Sequence, residues 1–148
     1  MKRVAIGCDH AAFDLKQILK QYLSELGYSI LDVGVEENVR CDYPDYAARV
    51  CAEIQSGAVS WGLLLCGTGI GMSMSANKFS GIRAAVVSDC FSAAATRQHN
   101  DANVLCLGSR VVGIGLAKQI VDCWCNSSFE GGRHQARIDK MMNHRRGV

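Results

Sequence analysis

The sequence predicts a doubly wound α/β fold, a Rossmann-like or flavodoxin-like three-layer sandwich around a five-stranded parallel sheet. Three observations carry that prediction. Short apolar runs recur along the chain, and nearly all-apolar runs are what strands buried on both faces require. Stretches with helical periodicity separate them, an alternation that yields parallel strands with helices on each side. The third run opens into Gly67-Thr68-Gly69-Ile70-Gly71, the kind of glycine turn that joins a strand to a helix N-terminus.

The elements follow in order. Lys2–Gly7 forms the first strand. Ala12–Leu26 is a helix with Phe13, Ile18, Leu19, Tyr22, Leu23 and Leu26 on one face, closed by Gly27 as a C-cap. Tyr28–Val33 is the second strand, and residues 34–43 form a polar loop. Tyr43-Pro44-Asp45 starts a helix to about Gln55, with Pro44 in the first turn, where its missing N–H costs nothing. Trp61–Cys66 is the third strand, and the stretch Met72–Lys78 beyond the glycine turn reads as helix. Gly81–Val87 is the fourth strand, and Ser88-Asp89 caps a helix running to about His99. Asn103–Gly108 is the fifth strand, Gly113–Cys125 a helix, and the tail from about Gln135 a final helix. No repeat, linker or low-complexity segment interrupts this pattern. Residues 1–148 are expected to form one domain.

Composition narrows the function classes. A hydrophobic fraction of 49% with 20% charged residues suits a compact globular chain. A formal charge of +2 offers no case for nucleic acid or a membrane surface as partner. The apolar run Val4-Ala5-Ile6 stops at Gly7-Cys8-Asp9-His10, so no signal peptide is expected, and no stretch approaches the ~20 residues that span a bilayer. The eight cysteines form no CxxC pair, several lie inside apolar elements, and Cys123 and Cys125 point to opposite sides of a helix. They read as reduced thiols of a cytoplasmic protein.

The chemistry concentrates where the third strand ends. Cys66 opens directly into the glycine turn. A helix N-terminus there presents free backbone N–H groups, and its dipole favours negative charge. A thiol held at such a place ionises more readily, and an oxyanion finds donors waiting. The bland alternative is a small buried cysteine at a strand end. Nucleotide binding fits less well: no Lys-Ser or Lys-Thr follows the turn, and the glycines are spaced GxGxG rather than GxGxxG.

Other groups gather by topology. The first strand delivers Cys8-Asp9-His10 and the fifth Gly108-Ser109-Arg110, both at the carboxyl edge, where ligands of such sheets bind. Singly, Asp9 is also a helix cap and Arg110 a solvated loop charge. Together an acid, an imidazole, a thiol, an anion cradle and a guanidinium read as an active site. His99-Asn100-Asp101 does not fit that edge, because its helix of about 11 residues carries it ~16 Å away. Arg133 and Arg137, spaced i, i+4 so as to grip one phosphate, follow the helix descending from the fifth strand. Two readings of His99 stand: a surface histidine at a helix C-terminus, or a group that a second subunit carries to the site.

The chain also resembles a known family. Gly7-Cys8-Asp9-His10, Asp42-Tyr43-Pro44, Cys66 with its glycine turn, Ala76-Asn77-Lys78, Gly81-Ile82-Arg83-Ala84, Arg97-Gln98-His99-Asn100-Asp101, Asn103-Val104-Leu105, Gly108-Ser109-Arg110 and Glu130-Gly131-Gly132-Arg133-His134 carry the resemblance. In order and spacing they are similar to ribose-5-phosphate isomerases of type B, a group that includes allose 6-phosphate and galactose 6-phosphate isomerases. The resemblance implies interconversion of ribose 5-phosphate and ribulose 5-phosphate, a step of the pentose phosphate pathway. It implies that Cys66 moves a proton between C1 and C2 through an enediolate. Met72 stands where some members carry a glutamate base, so this chain resembles the cysteine subgroup. It implies that His99 opens the sugar ring with help from Asp9, and that His10, Arg110, Arg133 and Arg137 hold the phosphate. Backbone N–H groups of Gly67, Thr68, Gly69, Ile70 and Gly71, with the Thr68 hydroxyl, are expected to hold the enediolate oxygen, and Asn100 joins the substrate-binding set. The resemblance further implies no cofactor or metal, and a homodimer with shared active sites; pairing of dimers into tetramers stays open. No metal-ligand cluster shows in the sequence. A six-carbon sugar phosphate as substrate, and a phospho-ligand binding module without turnover, are the alternative functions.

Overall fold

The computed structural model describes residues 2–144; Met1 and the last four residues of the expected 1–148 domain lie outside the described residues. The chain runs β1 (Arg3–Cys8), a single 3-10 turn (His10–Ala12), α1 (Phe13–Glu25), β2 (Ser29–Asp32), α2 (Tyr43–Gln55), β3 (Trp61–Cys66) and α3 (Ile70–Ala76). It continues through β4 (Ala84–Val86), α4 (Cys90–Asn100), β5 (Val104–Gly108), α5 (Ile114–Cys125) and α6 (Arg133–Met142). All sheet pairings are parallel, in the order β2-β1-β3-β5-β4. The expected α/β sandwich is present. Its last two strands are exchanged relative to the flavodoxin-like order.

Burial explains the exchange. Every residue of β5 is buried, as an interior parallel strand requires, whereas β4 is three partly exposed residues and closes the sheet as an edge. One core lies between the sheet, α1 and α5, built from Ile6, Leu63, Leu65, Leu105 and Leu107 with Leu19, Ile120 and Trp124. The other lies beneath α2 and α3, built from Ala5, Leu64 and Cys106 with Val50, Met72 and Ala76. Strand residues alternate between the two, as the pleat demands.

Several boundaries shift from expectation. The first helix is preceded by a 3-10 turn, because Asp9 accepts the Ala11 N–H at 3.0 Å and caps that turn instead. Helix α3 begins at Ile70, inside the glycine turn, because Gly69 takes a left-handed φ of 77° as its N-cap. Helix α6 begins at Arg133, just after Gly131 and Gly132, both with positive φ, reverse the chain.

A buried ion pair braces the β1–β2 side. Lys16 is 2% exposed; its ammonium donates to Asp32 Oδ1 at 3.0 Å and to the Val35 carbonyl at 2.8 Å. Lys20 reaches the other oxygen at 2.9 Å, and the Gly34 N–H donates to Oδ1 at 3.0 Å. Burial alone would raise the Asp32 pKa, but these hydrogen bonds outweigh it and hold the carboxyl below its usual range. A carboxylate depressed in the folded state stabilises above its unfolded pKa, and that contribution is lost as pH falls through the folded value. Asp32→Ala strands the Lys16 charge and is expected to cost about 3 kcal/mol in urea denaturation at neutral pH. The gap between variant and parent should narrow on acidification below about pH 4.

Candidate active site

The carboxyl edge assembles around one close approach. Gly69, Thr68 and Gly108 meet backbone to backbone: a Cβ on Gly108 would lie 2.6 Å from the Thr68 carbonyl, and one on Gly69 2.9 Å from the Leu107 carbonyl carbon. The Ser109 N–H donates to the Cys66 carbonyl at 2.8 Å and the Arg110 N–H to the Gly67 carbonyl at 3.0 Å. These bonds lock the β5 loop onto the glycine turn. The Asp9 N–H donates to the Leu65 carbonyl at 3.2 Å, and Ser109 Oγ donates to the Ala11 carbonyl at 2.9 Å. The loops after β1, β3 and β5 are thereby tied into one surface, at the switch point between β1 and β3.

Within that surface Cys66 ends β3, buried, and its sulfur accepts the Gly69 N–H at 3.1 Å. The Thr68 hydroxyl oxygen accepts the Ile70 N–H at 3.2 Å. Two of the expected oxyanion donors are thus already engaged within the turn. Arg110 lies over Gly67, its Nη1 3.4 Å from where a Cβ would stand. His10 Nδ1 accepts the Cys41 N–H at 3.2 Å, so in the neutral ring the proton sits on Nε2. Tyr43 packs its ring against Gly71, leaving no space for a side chain there. Nearby Cys8 is deeply buried, and burial pushes its thiol up to about 11. Cys8 therefore stays protonated at neutral pH.

The remaining candidates form a second group at the other edge of the sheet. Helix α4 starts at its Asp89 cap and ends against the amino ends of β4 and β5. There Arg83 donates to the Asn100 and Asp101 carbonyls, and the Asn103 N–H donates to the Arg83 carbonyl. His99, Asn100, His134 and Arg137 line a cavity of about 300 Å³ at that end. Arg133 and Arg137 both project from exposed positions on α6. The structure therefore brings Asp9, His10, Cys66, Gly67, Thr68, Gly69, Ile70, Gly71 and Arg110 to one edge, and His99, Asn100, Arg133 and Arg137 to the other.

Sequence reasoning gave no role to His134, Glu130 or Tyr43. His99 and His134 stack with ring centroids 4.5 Å apart and planes 11° from parallel, and His134 Nε2 lies 3.5 Å from Glu130 Oε2. The fold brings together one trio that the sequence did not single out: His99 joins Glu130 and His134, four residues apart, with ligand atoms within 4.8 Å of one another. A tetrahedral zinc ion needs ligand atoms about 3.4 Å apart, and Arg133 and Arg137 impose positive charge on His134. The trio has the form of a stacked pair with a carboxylate. A signal for His134 existed in its spacing, four residues before Ile138, which puts both on the buried face of α6.

A thiol and a backbone cradle at the switch point of a parallel sheet mark an enzyme of the doubly wound α/β class. Within that class the chain belongs to the Ribose/Galactose Isomerase family, whose model matches residues 4–141; its members are aldose–ketose isomerases. The chain is 52% identical over 139 residues to ribose-5-phosphate isomerase B of Escherichia coli K12, covering 94% of this chain and 93% of that one. It is 42% identical to a D-erythrulose-4-phosphate isomerase of Pectobacterium atrosepticum, with 95% and 93% coverage. Among solved structures, ribose-5-phosphate isomerase B of Mycoplasma genitalium with bound ribulose-5-phosphate superposes with a TM-score of 0.93 at 39% identity, covering 99% of this chain and 97% of that one.

The glycine contacts separate two substitutions. Gly108→Ala drives a methyl into the Thr68 backbone, and its expected cost is about 2 kcal/mol or more in chemical denaturation, with activity lost. Gly67→Ala meets only the Arg110 side chain at ordinary contact distance and is expected to leave stability within about 0.5 kcal/mol.

Proposed function

We propose that this protein interconverts D-ribose 5-phosphate and D-ribulose 5-phosphate, with Cys66 as the proton-transfer base. The observation that carries the reading is the Cys66 sulfur held by the Gly69 N–H at a helix-opening glycine turn. In the open-chain aldose, Cys66 takes the proton from C2, and the electron pair forms the C1–C2 double bond of an enediolate. The same thiol then returns the proton to C1 while the 2-hydroxyl proton passes to O1, so that O2 becomes the carbonyl oxygen of the ketose. With the Gly69 and Ile70 N–H groups engaged within the turn, those of Gly67, Thr68 and Gly71 and the positive end of α3 are left to meet the charge of the enediolate oxygens. His10 and Arg110 face the phosphate from the same chain, as charge-assisted donors.

The second half of the site comes from a partner copy. His99, as ring-opening group, together with Asn100, Arg133 and Arg137, sits too far from Cys66 within one chain. A homodimer that sets the far end of α4 of one copy on the carboxyl edge of the other completes both sites. An apolar rim supports that reading: Ile70, Met74, Phe91 and Val111 are 52%, 66%, 80% and 56% exposed, on elements bordering the cradle. Eight free thiols fit a reducing cytoplasm, and among the described residues no helix is long and apolar enough to cross a membrane. Assay of purified protein on ribose 5-, allose 6- and galactose 6-phosphates tests the substrate. Turnover of a six-carbon phosphate in preference to ribose 5-phosphate would overturn the five-carbon assignment.

Cys66→Ser exchanges the thiol for a hydroxyl that stays protonated at working pH, and turnover is expected to fall at least ~10²-fold with the fold intact by circular dichroism. Cys8→Ser is expected to be mild.

Shared sites make a sharper prediction. Mixing Cys66→Ser with His99→Asn, each inactive alone, gives mixed dimers in which one site carries both defects and the other neither. Random pairing should restore about a quarter of parental activity. Mixed dimers that stay inactive would place both residues in one chain's site.

A further inference from the structure

His134 and Glu130 have no task in the proton transfer above, yet their geometry is specific. His134 is 5% exposed and makes no hydrogen bond at Nε2, an uncommon condition for a buried imidazole. Its ring lies parallel to His99 at 4.5 Å, a separation at which aromatic rings stack. Glu130 Oε2 lies 3.5 Å from that nitrogen, and the Glu130 N–H donates to the Gln98 carbonyl at 3.0 Å. This backbone bond holds the Glu130 main chain beside the last turn of α4, within side-chain reach of His134. Burial, then the neighbouring Arg133 and His99, lowers the His134 pKa, with Arg137 adding to the effect and Glu130 opposing it. The ring is neutral at physiological pH.

We propose that His134, backed by Glu130, is a positioning residue that fixes the His99 ring in the orientation used to open the cyclic sugar. The inference rests on the reading of His99 as the ring-opening group. A histidine on the last turn of a helix is free to rotate about two side-chain bonds. A flat neighbour leaves it essentially one plane, its edge on the cavity shared with Asn100 and Arg137. A neutral ring also lends its face to the imidazolium form of His99, where a charged one would repel it. In the opening step the C1–O4 bond breaks with its electron pair passing to O4, which takes a proton from His99. The C1 hydroxyl gives up its proton to the Asp9 carboxylate, the group implied to assist His99, and C1 becomes the aldehyde carbon. His134 exchanges no proton in this step; it sets the angle from which His99 delivers one.

Ring opening can be read apart from isomerisation. The α and β furanose forms of ribose 5-phosphate interconvert only through the open chain, and exchange NMR measures that rate. In a Cys66→Ser background the C1–C2 transfer is absent, so anomer exchange isolates the His99 half of the site. Cys66→Ser protein is expected to accelerate exchange, and adding His99→Asn to abolish the acceleration. Adding His134→Ala should cut it about tenfold, a fraction of what a general acid itself contributes. Adding His134→Phe, which keeps a flat face, should restore most of it, and Glu130→Gln should cost a few-fold. Equilibrium binding of the phosphosugar should stay within about twofold in all three, which a general loosening of the site would not allow. Should His134→Ala fail to fold by circular dichroism, the Phe and Gln variants decide alone. Acceleration that survives His99→Asn would overturn the reading of His99 and this inference with it. Acceleration that needs His99 but is indifferent to His134→Ala and Glu130→Gln, or a His134→Phe protein as slow as His99→Asn, would overturn the inference alone.

Discussion

The close approach of the glycine turn to the end of β5 is the constraint on which the active edge depends. Thr68 rests on Gly108 and Gly69 on Leu107 with no side chain between them. Gly69, lacking a Cβ, can both make this approach and adopt its left-handed conformation as the N-cap of α3, with its N–H pointing at the Cys66 sulfur. The same contact brings Arg110 over Gly67. Thiol, cradle and guanidinium are therefore one packing unit, and their spacing is fixed by backbone, which bends less readily than rotamers do. Side chains reached from loops would not hold such a geometry without further support.

Division of labour between the two ends follows from helix direction. Any helix that starts at the carboxyl edge of a parallel sheet ends at the opposite edge. Groups at its last turn then lie about a helix length from those at strand ends. The chain places an imidazole and two arginines at that far end, on α4 and α6, where α6 packs on α4. One chain holds two groups that face different directions. In the proposed dimer, two copies related by a twofold axis would complete two sites, since an isologous interface uses both halves twice.

The carboxyl edge was legible in the sequence because each contribution to it is local. Cys66 and its turn are contiguous, Asp9-His10 follows directly on β1, and Arg110 follows directly on β5. Period and burial pattern place strands reliably enough to put all three at one edge. Helix direction likewise put His99 at the other. The order of the last two strands was not legible, because it turns on which of two apolar runs is the more completely buried, and β4 and β5 differ there by degree. The stacking of His99 on His134 was hidden for a different reason. It joins residues on two helices through two left-handed glycines, and no periodicity spans such a reversal. The start of α3 within the glycine turn was missed because glycine-rich sequence reads as loop until its backbone angles are known.

The two edges of the sheet have a consequence for how copies of this protein meet. β2 pairs over four residues and β4 over three, so each outer strand exposes few unpaired backbone groups. A short edge is a poor template for another strand. Growth of the sheet from molecule to molecule, the ordinary hazard of a chain this rich in apolar strands, is cut off at both ends. Contact between copies is left to helices and loops rather than to strand edges.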